Sequence, residues 1–450
     1  MADIRPFRGL RYNSARITDL SAVVTPPYDV ISSEAQLEYY ARCEYNIVRL
    51  ELGLELEGDD DRENKYTRAA SCFTQWRREG VLLPEVIPAM YVYEQEFSHD
   101  GRRTVRRGLL AALKLEEWDK GVVLPHEDTL PKPLSDRFRL VQACNANLSP
   151  VFGLYDGSES AVDNLLESVV AAPPDVRLVD EDGDEHRLWV VVDQPALRNL
   201  HAGLLGNRVF IADGHHRYLT ALRYRDEIRR TQPGAPDDAA FNFVMMLLVS
   251  LDDPGLVVLP THRQICDLDH DALGRLETEL AVRFDIQHLP LDLGNLKAQV
   301  AAVLDDMNRT SGALHTFAAC GLRNGHLSVL RLRADVDLDR LMSPERSRPW
   351  KELDVSVLHT LIVDHALSYL GRSQVDDKVV SFTRDATQAV RATLEGVCAL
   401  ALLLNSPTVQ QVRDVALAGD RMPQKSTYFH PKPLTGLVIN HLVGVLPHFY

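Results

Sequence analysis

Arg208-Val209-Phe210-Ile211-Ala212-Asp213-Gly214-His215-His216-Arg217-Tyr218 is the stretch on which the fold turns. Its short apolar run, Arg208–Ala212, predicts a strand, Asp213-Gly214 a turn, and the residues after them a helix through Arg229. Tyr218, Ala221, Leu222 and Tyr224 form the inner face of that helix. At a strand-to-helix junction the first helical N–H groups lack intrahelical partners, and the helix dipole adds roughly half a positive charge, so anions settle there. Asp213 is expected to cap the helix and Gly214 to let the backbone approach a ligand. His216 and Arg217, with His215 beside them, add donors suited to phosphate oxygens. A plain helix cap accounts for the aspartate and glycine but not for two histidines and an arginine in register.

Outward from this junction the elements are mixed. A helix is expected after Ser32 and Ser33, another over Asp61–Glu79, and a hairpin over Met90–Phe97 and Thr104–Leu115 with Asp100-Gly101 at its turn. Leu124–Pro133 is too rich in proline for a helix interior and is expected to be a loop. Strands are expected at Leu188–Asp193, Phe243–Ser250, Leu256–Leu259 and Ala399–Leu404, with a helix opened by Ser406-Pro407. Between them, helices (Leu273–Val282, Leu293–Met307, Val355–Leu370) alternate with strands (Thr316–Cys320, Leu327–Leu332). The chain has 450 residues, enough for roughly two to four folding units. The expected divisions are an N-terminal α+β region (1–115), a core carrying the histidine motifs (116–268), an α+β insertion (269–375) and a segment returning to the core (376–450).

Lys and Arg number 49 against 64 Asp and Glu, and the net charge of −15 argues against a broad nucleic-acid or anionic-lipid footprint. Functional basic residues should therefore be concentrated locally, with Arg217, Arg263 and Lys425 expected to converge on one small anion. Cys43, Cys72, Cys144, Cys266, Cys320 and Cys398 lie far apart with no C-x-x-C pair and read as buried or incidental thiols in a reducing compartment. The N-terminus has no apolar signal-like core and the longest apolar runs have strand length, so a cytoplasmic, membrane-free protein is expected.

Two further motifs carry chemistry. His126-Glu127 places a carboxylate beside an imidazole, suited to a general base or a metal ligand, but Leu130 stands where a zincin needs its second histidine. Gly419–Ser426 has P-loop length, but Gln424 replaces a glycine and Pro423 removes an amide donor, so a Walker loop is excluded. Lys425, Ser426 and Thr427 remain good phosphate ligands in another backbone frame, and His262-Arg263 is expected to end a strand and join the same anion pocket.

Pro26–Val30, Asn46–Leu50, His126–Thr129, Asp136-Arg137, Ser149–Phe152, Asp213–Tyr218, Pro260–Arg263 and Met422–Lys432 together resemble the bacterial and archaeal family of unknown function numbered 1015. More distantly, Asp213–Arg217 is similar to the phosphate-binding loop of the ParB/sulfiredoxin-like superfamily. Its free-serine kinases carry Pro-His-Glu before that loop and Ser-Pro-Lys-Thr-Thr near the C-terminus, in the order found here. This resemblance implies an α+β fold with a ParB/sulfiredoxin-like phosphate-binding core, elaborated by an N-terminal region and a middle insertion. It implies a nucleotide-dependent phosphotransferase acting on a small hydroxylated metabolite, serine or phosphoserine first, with ADP or ATP and Mg2+. Glu127 would take the hydroxyl proton. Gly214, His215, His216 and Arg217 would hold the transferred phosphate, and Lys425, Ser426 and Thr427 nucleotide or substrate phosphate. Asp213 would orient the loop or ligate magnesium, and His126, His262, Arg263 and Asp29 are additional candidates. The rivals are a nucleotide-binding regulator without turnover, and a metal-dependent hydrolase or nuclease using His126, His215, His216 and His262.

Overall fold

The structure, a computed structural model, describes residues 1–129, 131–157, 161–372 and 379–449, excluding the side chains of 131 and 132. Leu130 and the expected boundary at 375/376 lie outside the described residues. The chain forms two compact units: residues 1–125, 129–257 and 431–450 make the first, and 126–128 with 258–430 the second. Of the four expected segments, 1–115 falls in the first unit and 269–375 in the second, while 116–268 and 376–450 contribute to both. Among the described residues no helix is long and apolar enough to cross a membrane.

The principal elements of the first unit are α1 (Lys65–Arg78), β1 (Met90–His99), β2 (Arg102–Lys114), α2 (Pro131–Cys144), β3 (Val151–Tyr155), α3 (Ala161–Val170), β4 (Glu185–Val191), α4 (Gln194–Leu205), β5 (Val209–Asp213), α5 (His215–Thr231) and β6 (Phe243–Ser250). Its mixed sheet runs β5-β3-β6-β2-β1-β4, extended at its two ends by the short strands Val123–Leu124 and Val176–Val179. β6 lies parallel to β3 and antiparallel to β2, and all eight of its residues are buried, which is why its sequence is apolar without alternation. Asp100 and Gly101 turn the β1–β2 hairpin with φ of 49° and 73°, the left-handed pair that a tight hairpin requires. One face of the sheet is covered by α3, α4 and α5 through Val162, Leu166, Leu197, Leu200, Leu204, Tyr218, Ala221 and Leu222. A separate core gathers Tyr66, Ala69, Phe73 and Trp76 of α1 with Leu140 and Cys144 of α2.

Three local expectations are corrected. The proline-rich stretch is not loop throughout: α2 begins at Pro131, because prolines in a first turn forfeit only N–H groups that have no helical partner. α1 starts later than Asp61, since Asn64 makes a reciprocal capping box with Thr67. The helix after residue 405 is opened not by Ser406-Pro407 but by Thr408, whose hydroxyl accepts from the Gln411 amide at 3.1 Å.

The second unit comprises β7 (His262–Ile265), α6 (His270–Leu280), β8 (Phe284–Pro290), α7 (Leu296–Thr310), β9 (Thr316–Cys320), β10 (His326–Leu332), β11 (Val380–Thr383), α8 (Ala386–Leu394), β12 (Leu400–Leu403) and α9 (Val409–Leu417). Its sheet, β8-β10-β9-β12-β7-β11, is antiparallel throughout. α7 and α8 close over it through Val300, Val303, Met307, Ala389 and Val390. The expected helix over Val355–Leu370 is present from Asp354 to Tyr369, but its middle, His359–Val363, is π-helical, a local widening often found beside functional residues.

Leu247, 1% exposed at the centre of β6, tests the packing of the first unit. Leu247→Ala is expected to destabilise it by about 2–5 kcal/mol, read as a lower urea midpoint with an unchanged slope.

Candidate functional site

In the first unit β5 ends at Asp213, Gly214 turns with φ of 90°, and α5 begins at His215. The expected cap is absent: Gly214 occupies the cap position and no side chain caps the helix. Asp213 is committed elsewhere. One carboxylate oxygen accepts from Arg217 Nη2 at 2.6 Å, the other from Lys432 Nζ, which also donates to Asp29 at 3.0 Å. Arg217 in turn donates to the Pro150 carbonyl. Burial alone would raise the Asp213 pKa, but the Lys432 and Arg217 cations override it and hold the carboxyl far below its usual range. Burial likewise opposes the Lys432 charge, and Asp213 with Asp29 overrides that, so the ammonium is held well above its ordinary value. A Cβ on Gly214 would lie 3.0 Å from Arg217 Nε, and its left-handed φ adds strain, so the glycine is required by contact and conformation together.

Beneath this cluster lies a second charged layer that sequence reasoning did not assign. Arg137 stacks over the Tyr28 ring at 4.0 Å, donates to the Glu51 carbonyl at 2.7 Å and to Asp136 at 2.8 Å through Nε. Ser149 donates to Glu51 at 2.9 Å, and Asp136 also pairs with Lys65 at 2.8 Å. Burial would raise Asp136, but Arg137, Lys65 and Tyr66 bring it down to about 2. Glu51 is raised, because burial outweighs Arg137 and Arg217. A cavity of about 30 Å³, the room for one water, is lined by Glu51, Arg137, Ser149, Arg217 and Thr220. The available signal was the polar content of Pro26–Asp29 and Asp136-Arg137, charged residues flanked by apolar ones.

Lys432 itself is placed by its backbone. Gln95 and Arg106 face each other across the β1–β2 pair; Gln95 Nε2 donates to the Lys432 carbonyl at 3.1 Å, and Arg106 donates to the Pro431 carbonyl and to Gln95. Arg106 is 1% exposed over the Phe152 ring, and burial pushes its pKa down to about 10.

The second unit holds the other two motifs. The Met422 amide donates to the His126 carbonyl at 2.7 Å, and His126 Nε2 lies 2.9 Å from Thr427 Oγ1. The Glu127 carboxylate accepts from the Lys425 amide at 2.6 Å, and Arg263 Nη2 donates to the Lys425 carbonyl at 3.2 Å. Lys425 has φ of 57°, a left-handed conformation costly for a side-chain-bearing residue, and it is held there from both ends. Arg263 also donates to the Thr261 carbonyl and, through Nε, to His359 Nε2 at 3.3 Å. Burial pushes Arg263 down to about 9, with Glu127 partly countering. Burial and then Arg263 push His262 to about 4 and His359 to about 3, so both imidazoles are neutral at pH 7.

Each expected site residue thus has a place. Asp29, Asp213, Gly214, His215, His216 and Arg217 belong to the first unit, with His215 buried and His216 half-buried in the first turn of α5. His126, Glu127, His262, Arg263, Lys425, Ser426 and Thr427 belong to the second. Lys425 is exposed, but Ser426 is 2% exposed and its hydroxyl donates to the Pro423 carbonyl, closing the turn. His262 is 1% exposed, with the Leu404 amide 3.4 Å from its Nδ1. Asp213 does not suit the magnesium role: both its oxygens are neutralised by nitrogen cations, which a divalent ion would have to displace.

The sequence model of a family described as "Protein of unknown function (DUF1015)" matches residues 4–356. The chain belongs to that family. No curated protein matches it. Among solved structures, a conserved hypothetical protein from Pyrococcus furiosus is similar at 13% identity and a TM-score of 0.34, covering 74% of this chain and 94% of the other. A free serine kinase in complex with AMP is similar at 14% identity and a TM-score of 0.33, over 72% of this chain and 86% of the other. SbnI from Staphylococcus aureus, truncated at its C-terminus, is similar at 10% identity and a TM-score of 0.32, over 72% and 85%.

Two predictions test the geometry. Lys425→Gly, free to adopt the left-handed turn, should change stability by less than about 1 kcal/mol, whereas Lys425→Val should cost about 2 kcal/mol, both measured by denaturant unfolding. Asp136, held at about 2, contributes stability that is complete above the unfolded carboxylate value near ~3.9 and is lost as pH falls toward its folded value. Unfolding free energy should therefore drop on acidification through this window, and less so in Asp136→Asn.

Proposed function

We propose that the protein is a nucleotide-dependent phosphotransferase acting on a small hydroxylated metabolite, with serine or phosphoserine as the first substrates to try and ADP or ATP as nucleotide. The first unit is read as its ParB/sulfiredoxin-like phosphate-binding core. The observation that carries the proposal is the Lys425 turn. A strained, exposed lysine is fixed by Glu127 at its amide and by Arg263 at its carbonyl, so two motifs 298 residues apart meet in one place. A packing turn has no need for a left-handed lysine; strain of this kind is retained where a side chain must be presented.

Phosphoryl transfer needs positioning and charge neutralisation more than covalent chemistry. Lys425 supplies a mobile point charge for a phosphate and Thr427 a hydroxyl held by His126. Glu127 is read as the base that takes the hydroxyl proton. At α5 no side chain caps the first turn, and the helix dipole there favours an anion. Within the first unit, His215, His216 and Arg217 are read as its phosphate ligands. Magnesium, if used, would ride on the nucleotide phosphates.

One observation favours the rival, a nucleotide-binding regulator without turnover: an oxygen of Glu127 is already spent on the Lys425 amide, a positioning role that requires no proton transfer. Assays with ATP or ADP against serine, phosphoserine and related hydroxy acids separate the two. For the enzyme, Glu127→Gln should lower kcat by about 100-fold or more while nucleotide affinity stays within about twofold. Nucleotide binding with no transfer or hydrolysis across the panel would leave the regulator.

A further inference from the structure

Six cysteines scattered through the sequence read as separate thiols, yet the second unit brings two of them together. β7 and β12 are antiparallel neighbours with Ile265 opposite Leu400. Cys266 stands one residue past the end of β7 and Cys398 two before the start of β12, and their Sγ atoms are 3.4 Å apart. The backbone around them is fixed: the Ala399 amide donates to the Ile265 carbonyl at 2.9 Å, and the Cys266 amide to the Val379 carbonyl at 3.2 Å. A disulfide needs about 2.05 Å, a closure of about 1.4 Å from the present separation.

We propose that Cys266 and Cys398 form a thiol–disulfide site, oxidised by a peroxide, that staples the neck of the second unit. Chain leaving through β7 and returning through β12 carries α6 to α8 and β8 to β11 between the two thiols, a separation of 132 residues. Cys266 is half-exposed and Cys398 is 6% exposed, which makes Cys266 the entering thiol. Burial, with the Cys266 sulfur beside it, pushes Cys398 up to about 11, consistent with a resolving role. The Cys266 thiolate attacks one peroxide oxygen; the O–O bond breaks, an S–O bond forms, and hydroxide leaves. Cys398 sulfur then attacks the sulfenic sulfur; the S–S bond forms, the S–O bond breaks, and the Cys398 proton leaves with the hydroxyl as water. The two sulfurs lose two electrons to the peroxide, and both its oxygens end as water.

The arrangement places the staple beside the residue that holds the candidate site. Arg263, which clamps the Lys425 carbonyl, lies on β7 three positions before Cys266. The site does not depend on the phosphotransferase proposal, because its test reads thiols, mass and stability.

Purified reduced protein treated with hydrogen peroxide should fall from six titratable thiols to four under denaturing conditions, six minus the pair. Without reduction, a tryptic digest should yield the peptides 264–275 and 392–413 joined by one bond. Because the cross-link closes a long loop, Tm should rise by about 5 °C or more and return with dithiothreitol. Cys266→Ala and Cys398→Ala should each abolish the joined peptide and the Tm rise. Wild-type peptide mapping decides the matter even if a variant folds poorly. Sulfinic acid at Cys266 without the joined peptide, a link to any other cysteine, or six remaining thiols would overturn the proposal.

Discussion

Lys432 sets one ammonium against the carboxylates of Asp29 and Asp213, and Arg217 closes the remaining side of Asp213. In this little-exposed setting the charges are mutually dependent: a cation removed leaves a carboxylate without its counter-charge, at a cost of about 3–5 kcal/mol for fully buried pairs. Much else in the first unit follows from keeping that group assembled. Gly214 must have no side chain because Arg217 folds back over it. The Gln95–Arg106 pair fixes the carbonyls on either side of the Lys432 Cα. Tyr28, next to Asp29 in the chain, offers its ring to Arg137.

Two arginines, Arg106 and Arg263, serve as backbone clamps. Each is almost wholly buried, each has its pKa lowered by burial, and each donates to a carbonyl at or next to a lysine of the 422–432 segment. A guanidinium suits this work because its planar fork can serve several carbonyls at once, and it remains charged at pH 7 even when desolvated. Lysine in the same position would offer one compact, strongly hydrated charge and would lose it more readily. The cost is that such groups depend on neighbours arriving in the correct geometry.

Local pattern made most of the elements legible. The unbroken apolar run of β6, the Asp100-Gly101 turn and the strand-to-helix junction at Asp213 are each decided by residues within one element, and each is found as expected. Caps were less legible, because Asp, Asn, Ser and Thr compete within a few positions and only the reciprocal partner, Thr67 or Gln411, selects among them. The charged networks were least legible. Nothing near Asp213 in sequence indicates that it will be held by Lys432 rather than cap its own helix. Ser426 likewise has the composition of a phosphate ligand and the position of a turn-closing hydroxyl. The thiol pair was hidden for the same reason, since a spacing of 132 residues carries no local signal.

The Lys432–Asp29 contact spans 403 positions of sequence. During synthesis Asp29 and Asp213 are made long before the lysine that neutralises them, so a nascent first unit carries two facing carboxylates with no ammonium between them. Like charges so placed repel, and until the segment after residue 430 arrives Arg217 is the cation at hand for Asp213. Closure of the charged cluster thus waits for the segment that carries Lys432.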